Sequence, residues 1–134
     1  MGYELSKIII DEKRQDQIIV LREKEGERQF PIVIGFLEAS SIKMLLSNIE
    51  PPRPMTHDLF VSALNAIGAT IEKLVVDKLV NNTFHAKLYV ASDSQKVVTV
   101  DARPSDGIAI AVRSGADIYV EEDVLKKAAI FKAE

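Results

Sequence analysis

Segments rich in Ile and Val come in runs in this chain and do not alternate one by one with helical segments, and this grouping limits the fold more than any other feature. Lys7 to Asp11, Gln17 to Arg22 and Gln29 to Ile34 form the first run, and Thr70 to Val80, Phe84 to Ala91 and Lys96 to Asp101 form the second. Each has the apolar content and bounding polar stretches of a strand, with Glu12 to Asp16 and Glu23 to Arg28 dividing the first three. Strict strand–helix alternation would build a parallel sheet, whereas runs of strands point to an α+β domain with a mixed, largely antiparallel sheet.

Helical patterning fills the gaps between the runs. Ile42, Leu45, Leu46 and Ile49 recur at helical spacing within Leu37 to Ile49, and Glu50-Pro51-Pro52-Arg53-Pro54 must end that helix. Thr56 is positioned as the N-cap of a second helix whose stripe is Leu59, Phe60, Ala63, Leu64 and Ile67, with Gly68 suited to a left-handed end. Ser105 is positioned as the cap of a third helix through Arg113, apolar enough to be buried on most sides and closed near Gly115. Ile118 to Val120 reads as a short strand, and Glu121 to Phe131 as a last helix with acids first and lysines later. The sum is about four helices packed on the sheet.

At 134 residues with 47% hydrophobic content, the chain has the length of one domain, 1–134, and enough apolar mass for its own core. The absence of cysteine removes disulfides, zinc–thiolate sites and thiol nucleophiles together. No apolar run nears the roughly 20 residues that span a bilayer, and the start lacks the blocks of a signal peptide, so the expectation is a cytoplasmic protein without a membrane partner. A net charge of -3 restricts any nucleic-acid contact to a local patch. Gly-rich phosphate loops, paired metal-binding histidines and nucleophile elbows are missing from the sequence.

Two segments share a grammar: Arg53-Pro54-Met55-Thr56-His57-Asp58 and Arg103-Pro104-Ser105-Asp106. In each, an arginine and a proline precede a hydroxyl residue at a helix start and an acid in the first turn. A guanidinium beside the free N–H groups of a helix N-terminus makes an anion site, so Arg53, Thr56, Arg103 and Ser105 are the phosphate-binding candidates. Asp58, Asp101 and Asp106 offer hard oxygen ligands, which would suit magnesium or manganese, with Asp58 and Asp106 as the metal pair and Glu38 as a weaker addition. His57 has the ordinary pKa range for proton transfer near neutrality. The same residues also admit a plain structural account, in which Thr56 and Ser105 cap helices while Asp58 and Asp106 pair with Arg103 and Arg53 across the two loops.

At these segments the chain resembles the bifunctional nuclease family, through Arg53-Pro54-Met55-Thr56-His57-Asp58-Leu59 and the stretch from Asp101 through Arg113. Pro31-Ile32-Val33-Ile34-Gly35 followed by Glu38-Ala39 adds to the resemblance, which extends from about Lys7 to Val124. The resemblance implies an α+β fold with a barrel-like sheet, a tendency to form homodimers, and DNase and RNase activity of the kind that names the plant members. The expectation is therefore a nuclease that hydrolyses phosphodiester bonds in DNA or RNA. Its catalytic residues would be His57, Asp58, Asp101 and Asp106. The alternative is a non-catalytic module binding a phosphate-bearing ligand, a carboxylate or a protein partner.

Overall fold

The computed structural model describes residues 2–10, 17–26, 28–94, 96–128 and 131–132. Three strands come first: β1 (Gly2–Ile10), β2 (Gln17–Glu23) and β3 (Arg28–Ile34). Helices α1 (Phe36–Leu46) and α2 (Thr56–Ala66) follow, and then β4 (Thr70–Val80), β5 (Thr83–Ala91) and β6 (Val97–Ala102). The chain continues through α3 (Pro104–Ser114), β7 (Asp117–Val120), α4 (Glu122–Ala128) and the two-residue β8 (Phe131–Lys132). Every element expected from the sequence is present, although α4 stops at Ala128 and Phe131 belongs to a strand. The expected turn over Glu12 to Asp16 lies outside the described residues.

All eight strands join one sheet in the order β6-β5-β4-β7-β1-β2-β3-β8. Neighbours pair antiparallel except β4 and β7, which run parallel because α3 carries the chain across between them. The β4–β5 hairpin turns through Asn81 and Asn82, both at positive φ (52° and 62°), a pairing that asparagine tolerates and that matches the twist of the strands.

The sheet is open, and the barrel-like closure implied by the family resemblance is not made: β6 and β8 end the strand order without pairing. Its curvature is nonetheless strong. Phe30 of β3 stacks on Phe84 of β5 with ring centroids 5.6 Å apart, although β4, β7, β1 and β2 lie between them in the sheet. The start of α3 lies beside the two rims. A cleft of about 440 Å³ is lined there by Pro31 to Gly35, Asn82 to Phe84 and Arg103 to Ser105. On the β3 side β8 pairs with Arg28 and Gln29 among the described residues, and Pro31 has no N–H to offer another strand.

Helix α3 is the central post of the core. Ile108, Ala109, Ile110 and Ala111 are all buried, and they pack with Leu74, Val76, Leu88 and Ile118 from the sheet. A Cβ at Gly107 would come within 2.5 Å of the Leu74 side chain, so glycine is what lets the helix approach β4 this closely. Gly115 ends the helix in the left-handed conformation, as its position in the sequence suggested.

Helix α2 departs from expectation. None of its residues is fully buried: Phe60, Val61 and Leu64 lean on the core, while Leu59 and Ile67 of the expected stripe are exposed. In α1 only Ala39, Ser41 and Ile42 are buried, and the helix ends at Leu46, leaving Leu46 and Ile49 exposed. These two helices form a thin outer layer over α3, and their apolar spacing overstated how much of them the core would take.

Gln17 at the head of β2 is buried, and neither its amide nitrogen nor its oxygen has a partner among the described residues. Burying an unpaired polar group costs roughly 1–3 kcal/mol, so Gln17→Met, which keeps the shape and drops the polar atoms, is expected to stabilise the protein by ~1 kcal/mol in urea denaturation.

Candidate functional site

Helices α1, α2 and α3 bring their conspicuous residues to one place, and the geometry there is continuous. His57, in the first turn of α2, stands between α1 and α3. Its Nε2 lies 3.0 Å from Asp106 Oδ1 and its Nδ1 lies 3.1 Å from Ser41 Oγ. The other oxygen of Asp106 accepts from Arg103 Nε at 2.9 Å, and Arg103 Nη2 reaches Glu38 Oε1 at 2.7 Å. Four side chains on two helices and the intervening loop are thereby linked to His57, and the two Arg-Pro segments meet through it.

Electrostatics fix the proton positions. Burial works to raise the Asp106 carboxyl, but the hydrogen bonds from Arg103 and His57 outweigh it and hold Asp106 below the ordinary aspartate range. An ionised carboxylate only accepts, so Nε2 of His57 donates to Asp106, while the Nδ1 contact with the Ser41 hydroxyl can run in either direction. Arg103 is correspondingly held above its ordinary value, chiefly by its hydrogen bond to Asp106. Exposure is graded along the chain of contacts: the His57 side chain is 13% exposed, Asp106 is intermediate, and Arg103 is 67% exposed at the rim of the cleft.

A second pair lies beneath the first. Asp58 accepts from Met55 N at 3.0 Å and from Arg113 Nε, while Arg113 Nη2 donates to the Ser41 carbonyl at 3.2 Å and Nη1 to Ala109 O at 3.4 Å. The Arg113 side chain is only 6% exposed. Burial pushes the Asp58 carboxyl up, but the Arg113 and Met55 bonds prevail and hold it below the ordinary range. Asp58 thus ties the start of α2 to the end of α3, and Arg113 ties both to α1.

Several sequence expectations change here. Thr56 and Ser105 are not caps. Met55 and Arg103 occupy the N-cap positions without side-chain cap bonds, because Pro104 takes the first helical position of α3 and the Asp58 carboxylate closes the start of α2 by accepting from Met55 N. Thr56 is exposed and Ser105 is buried against the cleft. The expected partners of the two acids are also different: Asp106 takes Arg103 from its own loop, and Asp58 takes Arg113, not an arginine of either motif start.

Arg53 is exposed and opens on a different depression from Arg103, one formed by Leu45, Ile49, the Pro51–Pro54 turn, Asp58, Ser62 and Arg113. The two arginines therefore do not share a cleft. Asp101 is exposed at the end of β6, in register with Lys87, and takes no part in the hydrogen bonds around His57. Among the described residues no group of three or more His, Asp or Glu side chains is arranged to hold a metal ion. All four oxygens of Asp58 and Asp106 already carry a partner within the chain.

Sequence reasoning passed over Ser41 and Arg113. Arg113 could have been found from its spacing, since it lies seven residues after Asp106 and therefore two turns along the same face of α3. Ser41 gave no such signal, being one serine beside another in a helix.

The depressed values of both acids set a direction for acid stability. Each has a folded-state pKa below that of the unfolded chain, so the stabilisation is complete above the unfolded value of about 4 and is lost as pH falls through the folded one. Urea midpoints are expected to fall between pH 5 and pH 2, and to fall less steeply in the Asp58→Asn, Asp106→Asn protein. Parallel profiles for the two proteins would show that other groups govern acid unfolding.

A family profile described as the bifunctional nuclease domain matches residues 19–133. An uncharacterised protein of Mycobacterium tuberculosis is 39% identical over 123 residues, covering 92% of this chain and 73% of that protein. "Bifunctional nuclease 1" of rice is 28% identical over 111 residues, covering 79% of this chain, and "Bifunctional nuclease 2" of Arabidopsis thaliana is 29% identical over 107 residues, covering 78%. The chain spans about a third of the length of these plant relatives, 33% and 32% respectively. With a domain match over most of its length and its two Arg-Pro motifs joined through His57, the chain belongs to the bifunctional nuclease domain family.

Proposed function

We propose that the chain hydrolyses phosphodiester bonds in DNA or RNA, with the cleft between β3 and the start of α3 as the place where a phosphate meets Arg103. The observation that carries this reading is the unbroken path from exposed Arg103 through Asp106 to His57. Support comes from the domain family and from the plant relatives that bear the nuclease name. Arg103 would hold phosphate oxygens in a bidentate manner, exchanging part of its bond to Glu38 for the substrate. Asp106 would orient both Arg103 and the His57 ring through Nε2, and His57 Nδ1, exchanging its bond to the Ser41 hydroxyl for the attacking water, would take that proton and return it to the leaving alcohol. Asp58 would fix the helix start that presents His57, while Arg53, Thr56, Ser105 and Asp101 would meet the nucleic acid outside the reacting bond. The donor set does not form a metal cage among the described residues, so no step is assigned to magnesium or manganese.

One observation favours a second reading, a binding module without turnover. Both ring nitrogens of His57 and both carboxylates are already engaged within the chain, as in a network that only organises the fold. The test is cleavage of labelled single- and double-stranded DNA and RNA by highly purified protein, with magnesium, manganese or chelator, beside a folded Asp106→Asn variant. Cleavage by the parent and its loss in the variant is the expected result. Absence of cleavage in every condition, with a ligand-dependent rise in melting temperature, would replace the nuclease reading by the binding module.

A further inference from the structure

Among the described residues lining the cleft, Arg103 alone carries a charge. Two carboxylates already hold its guanidinium: Asp106 Oδ2 accepts from Nε at 2.9 Å, and Glu38 Oε1 accepts from Nη2 at 2.7 Å. One guanidinium between two carboxylates leaves a net negative charge at the rim before any ligand arrives. The Glu38 side chain is only 13% exposed, so water and salt screen it incompletely. A Cβ at position 35 would meet Glu38 Oε2 at 2.7 Å, so the carboxylate lies against the backbone of Gly35, a residue of the cleft wall.

The donors left on Arg103 decide where a ligand sits. A guanidinium has N–H groups on all three nitrogens, and those not given to Asp106 and Glu38 are on Nη1 and Nη2. An oxyanion that takes the second hydrogen of Nη2 shares that nitrogen with Glu38. Two acceptors on one trigonal nitrogen stand roughly 5 Å apart at ordinary hydrogen-bond lengths. The charge of the ligand then matters. A phosphodiester carries one negative charge at neutral pH, whereas a phosphomonoester has a second ionisation with a pKa of about 6 and carries close to two. The extra charge finds no second cation among the lining residues and meets Glu38 instead. At a dielectric between those of a protein surface and bulk water, that repulsion weakens binding about tenfold.

We propose that Glu38 is a specificity-determining residue of the cleft, admitting a singly charged phosphodiester at Arg103 and turning away a doubly charged phosphomonoester. This rests on the proposed hydrolysis of phosphodiester bonds, and it selects linkages inside a strand over phosphorylated ends. Hydrolysis turns the first kind of group into the second: water forms a new bond to phosphorus, the bond to the leaving alcohol breaks, and the new monoester releases a proton. The same carboxylate therefore favours departure of the product.

The experiment is titration of the full chain with dimethyl phosphate and, separately, with methyl phosphate, at about pH 7.5 where the monoester is mostly dianionic. Binding is followed by NMR at the Arg103 guanidinium, in the parent and in Glu38→Gln, which keeps an acceptor for Nη2. The parent is expected to bind dimethyl phosphate about tenfold more tightly than methyl phosphate, and Glu38→Gln to lose or reverse that preference. Equal affinities in the parent, an unchanged preference in Glu38→Gln, or no saturable shift at Arg103 with either ester would overturn the proposal. The ratio in the parent decides the matter even if Glu38→Gln fails to fold. A cleavage assay beside the titration separates the two readings. The preference without cleavage in any condition would remove the hydrolytic reading and leave Glu38 selecting singly charged phosphates. Cleavage without the preference would keep hydrolysis and remove this role of Glu38.

Discussion

Arg113→Ala is expected to lose about 3–5 kcal/mol of stability, the usual cost of breaking a buried ion pair from one side. The arginine is almost wholly enclosed, and it bonds Asp58, the Ser41 carbonyl and the Ala109 carbonyl at once. Its removal leaves Asp58 with only the Met55 N–H and leaves a carbonyl of α1 without this donor. Arg113→Met restores most of the stem's packing but none of its donors, so it should recover little. Arg113→Met combined with Asp58→Asn should lose clearly less than the two single losses added together, because the stranded charge goes as well. Urea denaturation of the parent, Arg113→Ala, Arg113→Met, Asp58→Asn and the double variant checks this, and a loss below about 1 kcal/mol for Arg113→Ala would show that the pair does not hold the three helices together. A loss of cleavage on substituting Arg113 would therefore not by itself place Arg113 in the reaction.

On the proposed nuclease reading, His57→Ala is expected to lower cleavage by about 10²- to 10⁴-fold at saturating substrate, the range typical of a removed general acid or base. Because the enclosed ring bridges Asp106 and Ser41, the change should also lower the melting temperature, so cleavage is compared well below the variant's own unfolding transition. His85, the other histidine, is exposed on β5 beside Phe84 of the cleft and bonds none of these side chains among the described residues, so His85→Ala should retain most of the parent's cleavage. A His57→Ala protein with unchanged kcat would assign the proton transfer to another group and leave His57 as a bridge between two loops. An unchanged kcat with raised KM would instead mean that the histidine positions Arg103 through Asp106 without handling the proton.

Most of the architecture was legible because it rests on local chemistry. Period-two alternation in Phe84 to Val90 gave β5, the Asn81-Asn82 pair gave its hairpin, and the three prolines at 51, 52 and 54 gave the break between α1 and α2. The errors share a cause. The apolar stripe of α2 promised burial, but α3 already fills the space above the sheet, so Leu59 and Ile67 remain exposed. Thr56 and Ser105 have the composition of caps, yet each lies inside its helix because Met55 and Arg103 take the boundary positions. Among the site residues, the sequence singled out His57, Asp58, Arg103 and Asp106 through their shared motif grammar. It also treated Arg53 and Arg103 as equivalent, and they open on different depressions.

The sequence by itself determined the succession of strands and helices, the placement of an arginine and an acid at two helix starts, and the burial of α3, since each of these follows from side chains within a few residues of one another. Only the tertiary structure decided which arginine meets which acid. Arg113 reaches Asp58 across 55 positions and His57 reaches Asp106 across 49, distances over which neither spacing nor propensity carries information. The curl of the sheet is likewise a property of the whole: Phe30 and Phe84 meet because the packing of α3 bends the strands around it, and no segment read alone contains that bend.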